Sequence, residues 1–460
     1  MVTGSSLGAV QYYNEWQDAE GRLRPHYLGL GGAVESAGFE SLAPRFAEAG
    51  KRVDLDSVTF YLDPGSYRNM PTDFVPRVIP LDHWETIAAG VEQRLRSINR
   101  FLVDLYAGQQ DIVPEEIIYS SQHFYPEVQG FRPPKNVFVH IYGIDLVHLG
   151  EGRYVVLEDN LRIPSGISYQ LKSRQVAQDL FPDFASSYDI LPYSIRDAYL
   201  GMFQSLTDNP EPVVVLLTDG KYGSAFFEHR YLSELLDIPL VEGPDLYVAP
   251  DGYVYARTLD ADVRVDVIYR RVEDLDLFVP GLSQAYLSGK VVLVNGMGTG
   301  AADDKLVFLW VPDMIRRYLS EEPILTQATS YNPADPESRR FMLENLESLV
   351  IKTRQGYGGL GVFVMPDLGE GYKARVANNI LQNPMAFIAQ ETLDFSQHMV
   401  FNDQANSLEP RHVDLRVFAV QSGDGAVSVF PGGLTRVAQA GSRITNNSSG
   451  GLCKPTWVVR

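Results

Sequence analysis

The sequence predicts an α+β protein built from several packed lobes, and three observations carry that expectation. The stretch from Trp84 to Tyr106 spaces its apolar side chains by three and four residues, which makes one buried helix face. From Asn136 onward, short β-like runs are separated by glycine turns. Residues 212–294 alternate strand-like and helix-like stretches, the pattern of a small α/β unit. At 460 residues the chain is long for one core, so two or three lobes are expected. The regions read as a mostly helical segment over 1–130, a sheet segment over 131–210, the α/β unit over 211–294 and a second sheet segment over 295–460.

Composition narrows the function classes. A hydrophobic content of 45% with 11% aromatics fits a globular chain and argues against disorder. The net charge of −19 disfavours a general nucleic-acid or anionic-membrane binder, which needs a basic footprint. A site for a phosphate-bearing ligand must therefore build its own positive potential from lysine, arginine and metal. The one cysteine, Cys453, fits a reducing compartment. No basic, apolar leader and no apolar run of membrane-spanning length is visible, so a soluble cytoplasmic protein is expected, with the sequons at Asn446 and Asn447 unglycosylated.

Taken in order, Pro80 and Asp82 mark the start of the long helix. Val137–Ile141 and Arg153–Leu157 read as two strands joined through a turn at Gly150-Glu-Gly152. That hairpin brings Asp145 near Glu158 and Asn160. In the α/β unit, Val213–Leu217, Pro239–Val241, Tyr253–Tyr255 and Val265–Tyr269 read as strands of a parallel or mixed sheet, and Phe226–Leu236 as a helix.

Two motifs bear chemistry. In Val155-Val-Leu-Glu-Asp-Asn-Leu-Arg162, alternation along an extended segment puts Glu158 and Asn160 on one face, with Asp159 on the other. Magnesium takes hard oxygen ligands and keeps several waters, so Glu158, Asn160 and Asp145 across the hairpin suffice as ligands. Arg162 falls on the same side, suited to a phosphate or a reacting carboxylate. A strand-end turn with surface acids, Asp159 among them, is the plainer alternative.

The second motif is Leu349-Val-Ile-Lys-Thr-Arg-Gln-Gly-Tyr-Gly-Gly-Leu-Gly-Val362. Gly356, Tyr357, Gly358, Gly359 and Gly361 match a dinucleotide fingerprint in letters, but Val362–Met365 reads as a strand where that fingerprint needs a helix. Strand, loop and strand make a flap whose backbone N–H groups can cover phosphates, unless it is a hairpin without ligand. Lys352 sits on an apolar strand, where a lysine is costly unless it meets an anion or snorkels out. Ala386–Leu393 reads as a strand ending in Gln390, Glu391 and Leu393, a possible adenine hinge or simply a buried edge. Asn295–Lys305 is a glycine turn ending in Lys305, either a second phosphate lysine or a helix start capped by Asp303 and Asp304.

These segments together resemble the circularly permuted ATP-grasp family, of the glutathionylspermidine-synthase-like type. The metal motif precedes the lysine and glycine loop, the reverse of the usual ATP-grasp order. The resemblance runs almost end to end. It includes Arg24-Pro-His-Tyr27, Pro76–Pro80, Leu157–Tyr169, Phe227-Glu-His229, Ile268-Tyr-Arg-Arg271 and Ala302-Asp-Asp-Lys305. Later matches are Arg411–Arg416, Pro431–Arg436 and Ser449–Trp457. Gly143 stands where glutathionylspermidine synthetase carries an arginine, and Lys454-Pro455 replaces the family's Lys-Asp.

The resemblance implies a circularly permuted ATP-grasp fold with a helical N-terminal region and an inserted pre-ATP-grasp-like domain. The metal-binding half is expected over 131–210 and the nucleotide-binding half over 295–460. Asp145, Glu158 and Asn160 are then the Mg2+ ligands, Lys305 and Lys352 the ATP-phosphate lysines, and Gln390-Glu391 the adenine hinge. Ser165 and Gly166 are candidate substrate-binding residues, and Arg270, Arg271, Arg411, Arg416 and Arg436 are candidates for carboxylate recognition, since guanidinium binds carboxylate bidentately. The expected activity joins a small-molecule or peptide carboxylate to an amine with ATP and Mg2+, without nucleic acid or membrane. A phosphotransferase and a non-catalytic nucleotide-binding partner stay open as alternatives.

Overall fold

In a computed structural model, residues 12–55, 59–63, 66–356, 361–445 and 451–460 are described. Tyr357, Gly358 and Gly359 of the glycine loop lie outside them, as do Asn446 and Asn447.

A mixed eight-stranded sheet forms the centre, and its hub is the fifteen-residue strand Ser407–Gln421. Ile141–His148 and Leu434–Val437 pair antiparallel with the hub on opposite sides. Tyr154–Asn160 follows Ile141–His148 as a hairpin partner, in a register that sets Asp145 opposite Glu158 and Gly143 opposite Asn160. A second, four-stranded sheet runs in the order Ser330–Tyr331, Phe387–Glu391, Leu349–Thr353, Val362–Val364. It carries Lys352 and both ends of the glycine loop, and has its own small core of Met342, Leu349, Ile351, Met365, Val376 and Ile380.

The long helix spans Leu81–Tyr106 with Pro80 at its N-cap position. Trp84, Ile87, Val91, Leu95, Ile98, Leu102 and Leu105 form the buried stripe that the spacing predicts. It packs on Val311–Leu319 and on the hub strand. Just ahead of it, Arg77–Pro80 pairs in parallel with Thr456–Val459, near the other end of the chain. Beside that pair, Lys454 is fully buried, with its ammonium on the carboxylate of Asp73 and the carbonyl of Met399.

The α/β unit holds four parallel strands in the order Val292–Val294, Val267–Arg270, Val214–Leu217, Leu240–Val241. Phe226–Leu236 is helical, as the sequence predicts. Val254–Ala256 belongs instead to a separate antiparallel sheet with Leu246–Val248 and Val263–Arg264.

A second strand differs from its sequence reading. The apolar run Val137–Ile141 is not a strand; the ladder starts at Ile141 and continues to His148. Two buried asparagines explain the shift. The Asn99 side-chain oxygen accepts from the N–H groups of Phe138 and Val139, and that of Asn295 accepts from His140 and Ile141. Side-chain amides thus satisfy donors that a neighbouring strand would otherwise take.

Candidate active site

The central hairpin and the four-stranded sheet face each other across a cleft. Its walls include Leu157, Glu158, Lys305, Lys352, Ile388 and Gln390, around a narrow cavity of about 10 Å³. Residues from both motifs, far apart in sequence, meet here.

Lys305 joins the two sides. Its Nζ lies 2.7 Å from Oε1 of Glu158 and donates, also at 2.7 Å, to the carbonyl of Gly356. Burial works against its charge, yet Glu158 and Asp303 together outweigh burial and hold its pKa above the usual lysine value. Lys352 has Glu158, Lys305, Asp145 and Arg436 as charged neighbours. Burial pushes its ammonium pKa down, and Glu158 opposes that without cancelling it. A half-buried lysine with a weakened hold on its proton is primed to gain from an incoming anion.

Asp145 is engaged by arginines. Arg416 grips it two-pronged at 2.6 and 2.8 Å, and Arg436 adds a third contact at 2.9 Å while also bonding Asp414. Burial alone raises the carboxyl pKa, but the two guanidinium groups hold it well below the usual range. Among the described residues no group of three His, Cys, Asp or Glu side chains is arranged to hold a metal ion. Asn160 supplies what such a count omits. Its amide nitrogen is buried without a hydrogen-bond partner, and a half-turn of the amide would put the carbonyl oxygen there. Glu158 and Asn160 thus present oxygen donors of the kind a hard divalent cation takes, whereas both oxygens of Asp145 accept from Arg416 and Arg436.

Asp159 corrects one expectation. It points away from the cleft, as alternation requires, but it is not a surface acid. It is 4% exposed, and Arg94 holds both its oxygens at 2.8 Å. Arg94 interrupts the apolar stripe of the long helix, and that interruption was the available signal.

The glycine loop is anchored at its base. Arg354 is buried, pairs with Asp304 at 2.7 Å and donates to the Ser120 hydroxyl and the Ile117 carbonyl. On the return side, the Thr353 N–H donates to Gly361 O. A Cβ on Gly361 would meet the Thr353 hydroxyl at 2.1 Å, at a backbone φ of +78°. Asp303 accepts from the N–H groups of Leu161 and Arg162 and fixes the chain leaving the Glu158 strand. Sequence reading saw Asp303 and Asp304 only as possible helix caps and gave Arg354 no part.

The remaining expected residues are spread more widely. Gln390 lines the cleft and donates to Leu157 O, whereas Glu391 is exposed and accepts from the Tyr331 hydroxyl. Leu393 packs with Val147, Val155 and Phe395. Arg162 is turned to Asp303 at 3.2 Å and Glu273 at 3.1 Å. Arg270 donates to the carbonyls of Asn295, Gly296 and Val272. Arg271 pairs with Glu228 in full burial and bonds the Ser165 hydroxyl, while Glu228 accepts from Gly166 N. Arg411 pairs with Glu409, two residues before it on the hub strand.

A profile of the family described as circularly permuted ATP-grasp type 2 matches residues 76–438, most of the chain. The chain belongs to the circularly permuted ATP-grasp type 2 family. ATP-dependent ligation is the activity class that this ATP-grasp membership carries, using ATP with a divalent metal, typically Mg2+. Similar proteins include an uncharacterised protein of Synechocystis, 39% identical over 98% of this chain and 97% of its own. A putative glutamate–cysteine ligase of Frankia casuarinae is 36% identical over 97% of this chain, which spans 54% of that longer protein. Among solved structures, a glutathione synthetase-like effector from Globodera pallida superposes with a TM-score of 0.62 at 14% identity, covering 91% of this chain and 97% of its own, a likeness of fold. Among the described residues of this ATP-grasp chain, no helix is long and apolar enough to cross a membrane.

Proposed function

We propose that this protein is a carboxylate–amine ligase of the glutathionylspermidine-synthase-like kind, forming an amide through an acyl phosphate and releasing ADP and phosphate. The observation that carries this reading is the bridge by Lys305 between Glu158 and the Gly356 carbonyl, beside Lys352. It unites an acidic, metal-competent strand with a phosphate-covering loop in one cleft. The name of the Frankia relative, a putative ligase of two amino acids, points the same way.

In this reading residues 131–210 and 295–460 are the two halves of the ATP-grasp core. ATP lies with its base against the Gln390–Glu391 strand and its phosphates under the loop from Gly356 to Gly361, near Lys305 and Lys352. Glu158, Asn160 and Asp145 would hold Mg2+, which when bound neutralises phosphate charge. A substrate carboxylate oxygen attacks the γ-phosphorus in line, the bond to the β-phosphate oxygen breaks, and ADP leaves. Lys305, Lys352 and the loop amides stabilise charge on the transferring group. The neutral amine then adds to the acyl carbon, the C–O bond to phosphate breaks, and the nitrogen loses its proton. Phosphorylation is needed because carboxylate oxygen is a poor leaving group. Arg162, two residues past Asn160, and Arg416, on Asp145, are offered to the carboxylate or acyl phosphate, and Ser165, Gly166 and Arg271 shape the turn behind them.

Positional isotope exchange tests the reading, using ATP labelled with ¹⁸O at the β,γ-bridge. Scrambling that requires a carboxylate and vanishes in Glu158→Gln supports it. Tight MgATP binding without scrambling for any carboxylate tried would sink it.

A further inference from the structure

A second cleft lies away from the catalytic one, at the far end of the hub strand, with a volume of about 620 Å³. That is the size of a small-molecule site. Its charged lining is Arg96, Arg100, Arg132 and Lys135 against Asp104 and Asp424. The whole chain has 39 basic and 58 acidic side chains, so the local balance is inverted. In a protein with a net charge of −19, cations gathered in a concave surface focus a positive field where the average field is negative.

These cations are weakly committed elsewhere. Arg96 meets Glu92 only at 3.8 Å on exposed helix, and Lys135 meets Asp208 only at 3.5 Å. Arg100 donates to the Tyr318 carbonyl. Arg132 is exposed and has no hydrogen bond or ion pair among the described residues. The floor, by contrast, is rigid. Asn99 is 3% exposed and uses its amide fully, accepting from Phe138 N and Val139 N and donating to Val139 O and the Gln421 side chain. Lys135 and Asn136 also take consecutive left-handed conformations, with φ of 57° and 60°. Such backbone is unfavourable for non-glycine residues and persists where the surroundings impose it.

We propose that this cleft binds a small polyanion carrying two or more phosphate or carboxylate groups, separately from the catalytic site. Arg96 and Arg100 sit one helical turn apart and present two guanidinium groups from one side, while Arg132 and Lys135 face them from the connection before Ile141. The floor is tied to the catalytic cleft by two rigid elements. Arg100 lies about 9 Å along the helix from Arg94, the partner of Asp159. Gln421 ends the strand that carries Arg416, about 16 Å away. An anion bound here is therefore placed to bias the hairpin that bears Glu158 and Asn160.

Calorimetric titration of the full chain carrying Lys305→Ala and Lys352→Ala tests this without interference from the catalytic cleft. Tripolyphosphate is the phosphate probe and citrate the carboxylate probe. Saturable binding to one site by at least one probe is expected, weakening with added salt. Adding Arg100→Gln and Arg132→Gln, both exposed and removable without loss of fold, should weaken it roughly tenfold or more. Lys135→Gln is an independent variant expected to act in the same direction. Unchanged affinity in those variants overturns the proposal, as does failure of both probes to saturate. Binding of heparin alone overturns it too, in favour of a macromolecular partner.

Discussion

Arg94 and Asp159 meet in a two-pronged ion pair, 2.8 Å on each arm, with both side chains sealed from water. Asp159 sits between Glu158 and Asn160, so this pair on the back of the strand fixes the direction in which the front face points. Arg94→Ala leaves a buried carboxylate unpaired, which costs about 3–5 kcal/mol. Urea unfolding should show that loss. Replacing both residues, Arg94→Met with Asp159→Leu, should recover much of it. If Arg94→Ala unfolds within about 1 kcal/mol of the wild type, the pair does not anchor the strand.

Lys352→Ala should lower turnover roughly 10²–10³-fold, the usual effect of removing one group that stabilises transferring charge. ADP release under saturating ATP is the readout. Turnover within about threefold of the wild type would falsify the assignment of Lys352 to the phosphates.

Asn160 separates stability from function. Its amide nitrogen is buried without a partner, so Asn160→Leu should leave thermal unfolding unchanged or raise its midpoint. If Asn160 is a Mg2+ ligand as proposed, the same change should raise the Mg2+ concentration needed for half-maximal turnover by roughly tenfold. A lowered melting point with unaltered Mg2+ dependence would assign the side chain to packing instead.

His140 gives a pH dependence of clear sign. It is buried with both ring nitrogens unpartnered, and burial pushes its pKa down to about 3. The unfolded chain takes up that proton below about pH 6.5 and the folded chain does not until near pH 3. Acidification through this window therefore favours unfolding, and the stability is whole only above it. His140→Leu should flatten the fall between about pH 6 and 4 by roughly 1 kcal/mol per pH unit. Equal slopes in mutant and wild type would mean that His140 is reached by water.

Much of this architecture was legible in the sequence because the signals were local. The long helix announced itself by spacing, and the Lys352 strand by an apolar run turning at glycines. The paired face of Glu158 and Asn160 follows from the two-residue period of a strand. What stayed hidden depends on partners distant in the chain. Nothing beside Val137–Ile141 says that Asn99 and Asn295 will take its N–H groups. Nothing beside Asp145 says that Arg416 and Arg436 will close on it. The clamp of Arg354 on Asp304 pairs two residues whose neighbours drew attention first, a lysine in each case.

The buried contact between Lys454 and Asp73 spans 381 positions of sequence. During synthesis, Asp73 and the backbone of Arg77–Pro80 wait for their partners until residues 454–459 have left the ribosome. The long helix can form early, but its entrance stays unlatched for most of that time. Chains cut before Lys454 would therefore be opened by proteases at the Arg77–Pro80 segment, far from the cut itself.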